Sequence, residues 1–141
     1  MLHYLVLPSA GRVGEAWAAG QMDVGAEHLA SGVVSRRLSA LFDQGGLPGS
    51  GPRVLVGLPP DSRHELGLLA FAVALRRLGV DVLYLGADVP VKSWADAATE
   101  SAAQAAVVAV GTARAVSPAG EVATDTRAAL PDIAVLFGVA A

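Results

Sequence analysis

The stretch RVLVGLPPDSRHELG, residues 53–67, decides the fold. An apolar, β-rich run ends at a glycine, a long loop stiffened by Pro59 and Pro60 follows, and a helical pattern begins near Glu65. Three later runs repeat its first half: DVLYLG (81–86), AVVAVG (106–111) and IAVLFG (133–138), with further helical patterns starting near Val91 and Ser117. Near-continuous apolar strands alternating with helices need cover on both faces, which predicts a doubly wound parallel α/β sheet. Right-handed crossovers then bring every loop that follows a strand to one edge, where such folds bind ligands. Function is therefore sought at 59–67, 86–90, 111–117 and from 138 onward.

Outward from that unit, DQGGLPGSGP (43–52) holds four glycines and two prolines in ten residues and reads as a linker. Before it the period is helical. Asp23 is placed to cap a helix of about five turns, with Leu29, Val33, Val34, Leu38, Leu41 and Phe42 recurring at three- and four-residue spacing. A shorter helix is expected through RVGEAWAA, stopped by Gly20, and residues 1–7 resemble the tail of another. The expected division is a partial helical-bundle cap at 1–42, a linker at 43–52 and an α/β domain at 53–141.

Composition narrows the functions. With 141 residues, 53% hydrophobic and 16% charged, the chain has the apolar content of a folded domain and too few charges for intrinsic disorder. No cysteine means no disulfide, thiolate metal site or thiol nucleophile, so metal chemistry rests on His3, His28, His64 and carboxylates. A net charge of −3, with arginines clustered no further than the pairs Arg36-Arg37 and Arg76-Arg77, argues against direct nucleic-acid binding. The apolar start lacks a basic flank and is broken by Pro8, and no run reaches the ~18 residues of a membrane span, so a cytoplasmic protein is expected.

The loop after the first strand lacks the glycine patterns of dinucleotide and phosphate loops, the acidic cluster of a receiver domain and the G-x-S-x-G of a serine hydrolase. It carries His64 instead. Ser62 is near enough to hydrogen-bond one imidazole nitrogen, and Gly67 removes a side chain where a flat ligand could approach the helix start. A lone loop histidine is more often simply solvated, and Trp94 in VKSWADAA reads as packing between helix and sheet.

Ser62-Arg63-His64-Glu65-Leu66-Gly67 resembles the D-x-H-x-x-G loop of cobalamin-binding domains. In that family the histidine becomes the lower axial ligand of cobalt when the cofactor's own base swings into a deep pocket. Trp17, nine residues, then Glu27-His28 is similar to the W-x9-EH motif in the helical cap of CarH-type (MerR-like) adenosylcobalamin photoreceptor regulators. The resemblance implies a four-helix-bundle cap joined to a Rossmann-like (flavodoxin-like) domain, with Trp17, Glu27 and His28 over the upper ligand and His64 on cobalt. It extends the cofactor-binding set to Ser62, Arg63, Glu65, Leu66, Gly67, Gly111, Thr112 and Gly138.

This sequence departs from the family where Ser62 replaces an acidic residue, where S-x-L reads Gly111-Thr112-Ala113, and where paired glycines read Gly138-Val139. Ala18 follows Trp17, so the histidine that such sensors can use there is absent. Relative to the family the cap and sheet look shortened at both ends, without a DNA-binding domain, and the fourth strand becomes an apolar edge that implies a homo-oligomer or a protein partner. No acid–base or nucleophile–base pair points to an enzyme. The implied function is a cobalamin-binding sensory module for light, acting in transcription regulation through assembly. The alternatives are a corrinoid carrier subunit of a mutase or methyltransferase, and a domain that has lost its cofactor.

Overall fold

Val54, Leu55 and Val56 are buried on alternating faces, which places β1 (Arg53–Gly57) inside a sheet covered on both sides. The computed structural model describes residue 20 and residues 23–45 and 50–139, and its sheet has four parallel strands in the order β2-β1-β3-β4. β2 is Asp81–Gly86, β3 is Ala105–Val110 and β4 is Ala134–Val139, each within one residue of the apolar run that predicted it. Four helices complete the described fold: α1 (Val24–Asp43), α2 (Leu66–Arg77), α3 (Val91–Ser101) and α4 (Val116–Ala129). The expected α/β class is what the chain adopts.

Alternation along the strands divides the core in two. Val54, Val56, Val107 and Ala109 meet Leu68 and Ala72 of α2 on one face. Leu55, Val108 and Val135 meet Trp94 of α3 and Ala119 and Val122 of α4 on the other.

α1 is capped as expected: the Asp23 carboxylate accepts from the Ala26 N–H at 2.7 Å. The helix also takes in Asp43, which the sequence reading had given to the linker, because the Gln44 N–H still finds the Ala40 carbonyl at 3.0 Å. Residues 46–49 of the linker, and the helices expected through residues 1–7 and 12–19, lie outside the described residues. α1 packs on α2 and runs in the same direction. Leu38 meets Leu69 and Ala70, and further along the Arg76 guanidinium sits 4.4 Å over the Phe42 ring. Since Glu27 lies 11 residues before Leu38 and Leu66 only three before Leu69, the first turns of α1 project about 12 Å past the start of α2. They overhang the edge of the sheet where the strands end.

One close approach fixes the end of β1. A Cβ on Gly57 would lie 2.9 Å from Cζ2 of Trp94, whose side chain is wholly buried. The register on β2 skips Leu85 there, pairing Val56 with Tyr84 and Gly57 with Gly86, and Gly86 takes a φ of 88° that favours glycine. Trp94 is the packing residue its sequence context suggested, although its Nε1 is buried with no partner among the described residues. At the opposite edge β4 exposes Leu136, Phe137 and Val139, so the fourth strand is the apolar edge that was expected.

Truncating Trp94 to Ala should remove about 3–5 kcal/mol of stability in urea unfolding. Trp94→Phe should lose much less, since it keeps most of the ring and deletes the unpartnered N–H. Equal losses for the two variants would contradict this account of the packing.

Candidate functional site

β1 and β3 are neighbours, but the chain leaves β1 for β2 on one side and returns to β3 on the other, so their following loops part. Between those loops lies a cleft of about 750 Å³. Leu58, Pro60, Leu68, Ala109 and Ala115 give it apolar walls, while Ser62, Arg63, His64, Thr112 and Arg114 supply polar groups. This is the switch-point crevice in which open α/β sheets bind ligands.

The β1 loop is held in shape by its own backbone and by one aspartate. Ser62 N–H donates to the Pro59 carbonyl at 3.2 Å, closing a turn in which Asp61 adopts a φ of 64°. With Pro60 fixing the first turn position and a left-handed residue at the second, the arrangement matches a type II turn. Asp88, in the loop after β2, accepts from the Asp61 N–H at 2.8 Å through Oδ1 and donates its own N–H to the Ser62 carbonyl at 2.8 Å. Its other oxygen lies 3.9 Å from Nη2 of Arg63. Leu58 completes the tie, donating to Gly86 and accepting from Val89.

His64 stands exposed at the cleft, beside Gly67, where a Cβ would point into open space. Of the residues read as a site, Ser62, Arg63, His64, Gly67, Gly111 and Thr112 come together here. The Ser62 hydroxyl does not orient the imidazole: among the described residues no hydrogen bond joins them, and Ser62 serves through its backbone. Glu65 ends the same loop and Leu66 opens α2, and neither lines the cleft. Leu66 packs against the α1 contact, and the Glu65 carboxylate accepts from the Tyr84 hydroxyl at 2.9 Å. Gly138 lies within β4 opposite Ala109 rather than in a loop, and it too is absent from the lining.

Glu27 and His28 sit on the overhanging turns of α1, outside the cleft. Glu27 accepts from the Ser31 hydroxyl at 2.8 Å and lies 3.2 Å from Nδ1 of His28, whose ring is largely exposed. Trp17 lies outside the described residues. Sequence reasoning missed Asp88 and Arg114. Asp88 could have been suspected from its place just after a strand-ending glycine, since aspartate tolerates left-handed backbone, and its φ is 51°.

No family model matches the chain. It is 41% identical over 70 residues to the HTH-type transcriptional repressor CarA and 42% identical over 78 residues to the HTH-type transcriptional repressor CarH, both of Myxococcus xanthus. Those matches take in 50% and 55% of this chain but only 24% and 26% of the relatives, so the chain spans about a quarter of their length. Among solved structures, a cobalamin-binding protein from Desulfitobacterium hafniense DCB-2 superposes with a TM-score of 0.58 at 24% identity, over 93% of this chain and 63% of the other. The Methanosarcina barkeri monomethylamine corrinoid protein gives 0.68 at 14% identity over 96% and 66%, and the methanol:cobalamin methyltransferase complex MtaBC of the same organism 0.61 at 16% over 98% and 54%. These likenesses show a shared fold. Among the described residues no helix is long and apolar enough to cross a membrane.

Burial, and then the Glu65 carboxylate it bonds, push the Tyr84 hydroxyl well above its ordinary value of 10.0. A raised folded-state value stabilises the fold fully below the unfolded value and is lost as pH rises beyond it. Unfolding stability should therefore fall above about pH 10, and Tyr84→Phe should flatten that fall. A variant with an unchanged alkaline slope would remove Tyr84 from the account.

Proposed function

We propose that the cleft binds a cobalamin, with His64 as an axial ligand of its cobalt. The observation that carries the reading is the placement of one exposed imidazole at a large switch-point cleft beside a glycine that leaves the approach open. The donor set fits such a group. Among the described residues no cluster of three or more His, Cys, Asp or Glu could hold a bare ion, whereas cobalt in a corrin ring needs a single nitrogen from the protein. The proteins of like fold are cobalamin-binding and corrinoid proteins, which supports the same cofactor.

The two relatives by sequence are transcriptional repressors, and with the W-x9-EH resemblance they support a sensory role over a catalytic one. On this reading the adenosyl form is the ligand, and its cobalt–carbon bond supplies the light-sensitive chemistry. By the W-x9-EH resemblance, Glu27 and His28 on the projecting turns of α1, with Trp17, would cover the adenosyl group. Glu27 accepts from a ribose hydroxyl, and Trp17 offers a broad apolar face. The output is a change of assembly, for which the apolar edge of β4 is the candidate surface. The site is cytoplasmic and makes no direct nucleic-acid contact.

A corrinoid carrier is the second reading, favoured by the methyltransferase complex and the monomethylamine corrinoid protein among the fold relatives. Reconstitution separates the readings. The unaltered chain should take up cobalamin with the spectrum of a histidine-bound, base-displaced cofactor, and His64→Ala should lose that spectrum. An unchanged spectrum in the variant would sink the ligand assignment. Green light on the adenosylcobalamin-loaded chain should shift both absorbance and oligomeric state. A light-indifferent assembly that exchanges methyl groups with a partner enzyme points to the carrier, and a colourless product to a domain without cofactor.

A further inference from the structure

The two sides of the cleft differ in charge. On the β1 side Arg63 approaches Asp88, and Asp61 adds a carboxylate. On the β3 side the one charged lining residue is Arg114, exposed in the short turn Ala113–Ala115 that leads into α4. Arg114 has no hydrogen bond or ion pair among the described residues, and the first turn of α4 carries no acidic side chain. The lining as a whole sets two guanidiniums against one carboxylate, in a chain whose net charge is −3. Asp88, just outside the lining, offsets Arg63, which leaves Arg114 as the lining guanidinium with no carboxylate partner among the described residues. Arg114 thus stands at the mouth of the cleft as an exposed guanidinium whose N–H groups are open to an anion entering it.

Cobalamin carries one anionic group, the phosphodiester of its nucleotide tail; the corrin ring is edged by neutral amides. We infer that Arg114 binds this phosphodiester and makes the cleft selective for the complete cofactor over the ring alone. The inference rests on the cobalamin reading above. Gly111, Thr112 and Ala113 bring only small side chains to the approach, so the space beside Arg114 is not filled by its chain neighbours. A guanidinium also presents paired N–H groups that match two phosphate oxygens, which a lysine does not.

The test compares aquocobalamin with diaquocobinamide, which has the ring without phosphate, ribose or base. Each is titrated by visible absorbance into the full chain, Arg114→Gln and Arg114→Lys, with circular dichroism to check folding. The unaltered protein should prefer cobalamin, and rising salt should narrow that preference. Arg114→Gln should weaken cobalamin binding by about tenfold while leaving cobinamide nearly unchanged, and Arg114→Lys should recover part of the loss. A loss of similar size for both corrinoids, or for neither, overturns the assignment while leaving the cofactor reading in place. If the unaltered protein binds neither corrinoid, the cofactor reading itself falls and takes this inference with it.

Discussion

Everything at the candidate site follows from one constraint on connectivity. A right-handed crossover through α2 takes the chain from β1 to β2 on one side, and the next, through α3, must pass to the other side to reach β3. The helices therefore cover opposite faces, and the loops leaving the two central strands turn away from each other. A gap between them is a product of topology, before any side chain is chosen. Side chains decide only what the gap accepts: apolar walls for a bulky ring, an imidazole on one lip and a guanidinium on the other.

Most of that frame was legible in the sequence. Four apolar runs ending near glycine marked the strands, and Asp23 marked the start of α1, because burial and capping are local demands that residue type answers directly. His64 and Gly67 were legible as residues lining the cleft because they lie on, and just after, the loop that topology singles out. What escaped depended on pairings between distant segments. Nothing within residues 86–90 announces that Asp88 braces a loop 27 residues earlier. Glu65 entered the expected set through the D-x-H-x-x-G resemblance, and the opening of α2 turns its carboxylate toward Tyr84 on β2. Gly138 was placed in a loop because the apolar run was read one residue short, whereas β4 continues through Val139.

The diverted Glu65 has its own interest. Phe42 of α1 and Tyr84 of β2 have ring centroids 5.9 Å apart, and Tyr84 in turn holds the residue next to His64. The seating of α1 and the position of the histidine loop are thus connected through three side chains in sequence. Such a chain of contacts is a physical route by which a change above the cleft could reach the packing of α1, provided the helix has two stable seats.

The brace around Asp88 also carries a lesson for anyone moving this loop elsewhere. Asp61 and Asp88 each hold a left-handed backbone, and each supplies a bond that the other's segment requires. The portable unit is consequently discontinuous. Residues 58–64 transplanted onto another sheet without 86–89 would arrive with the Asp61 N–H and the Ser62 carbonyl unanswered, and a length change in either loop is tolerable only with a matching change in the other.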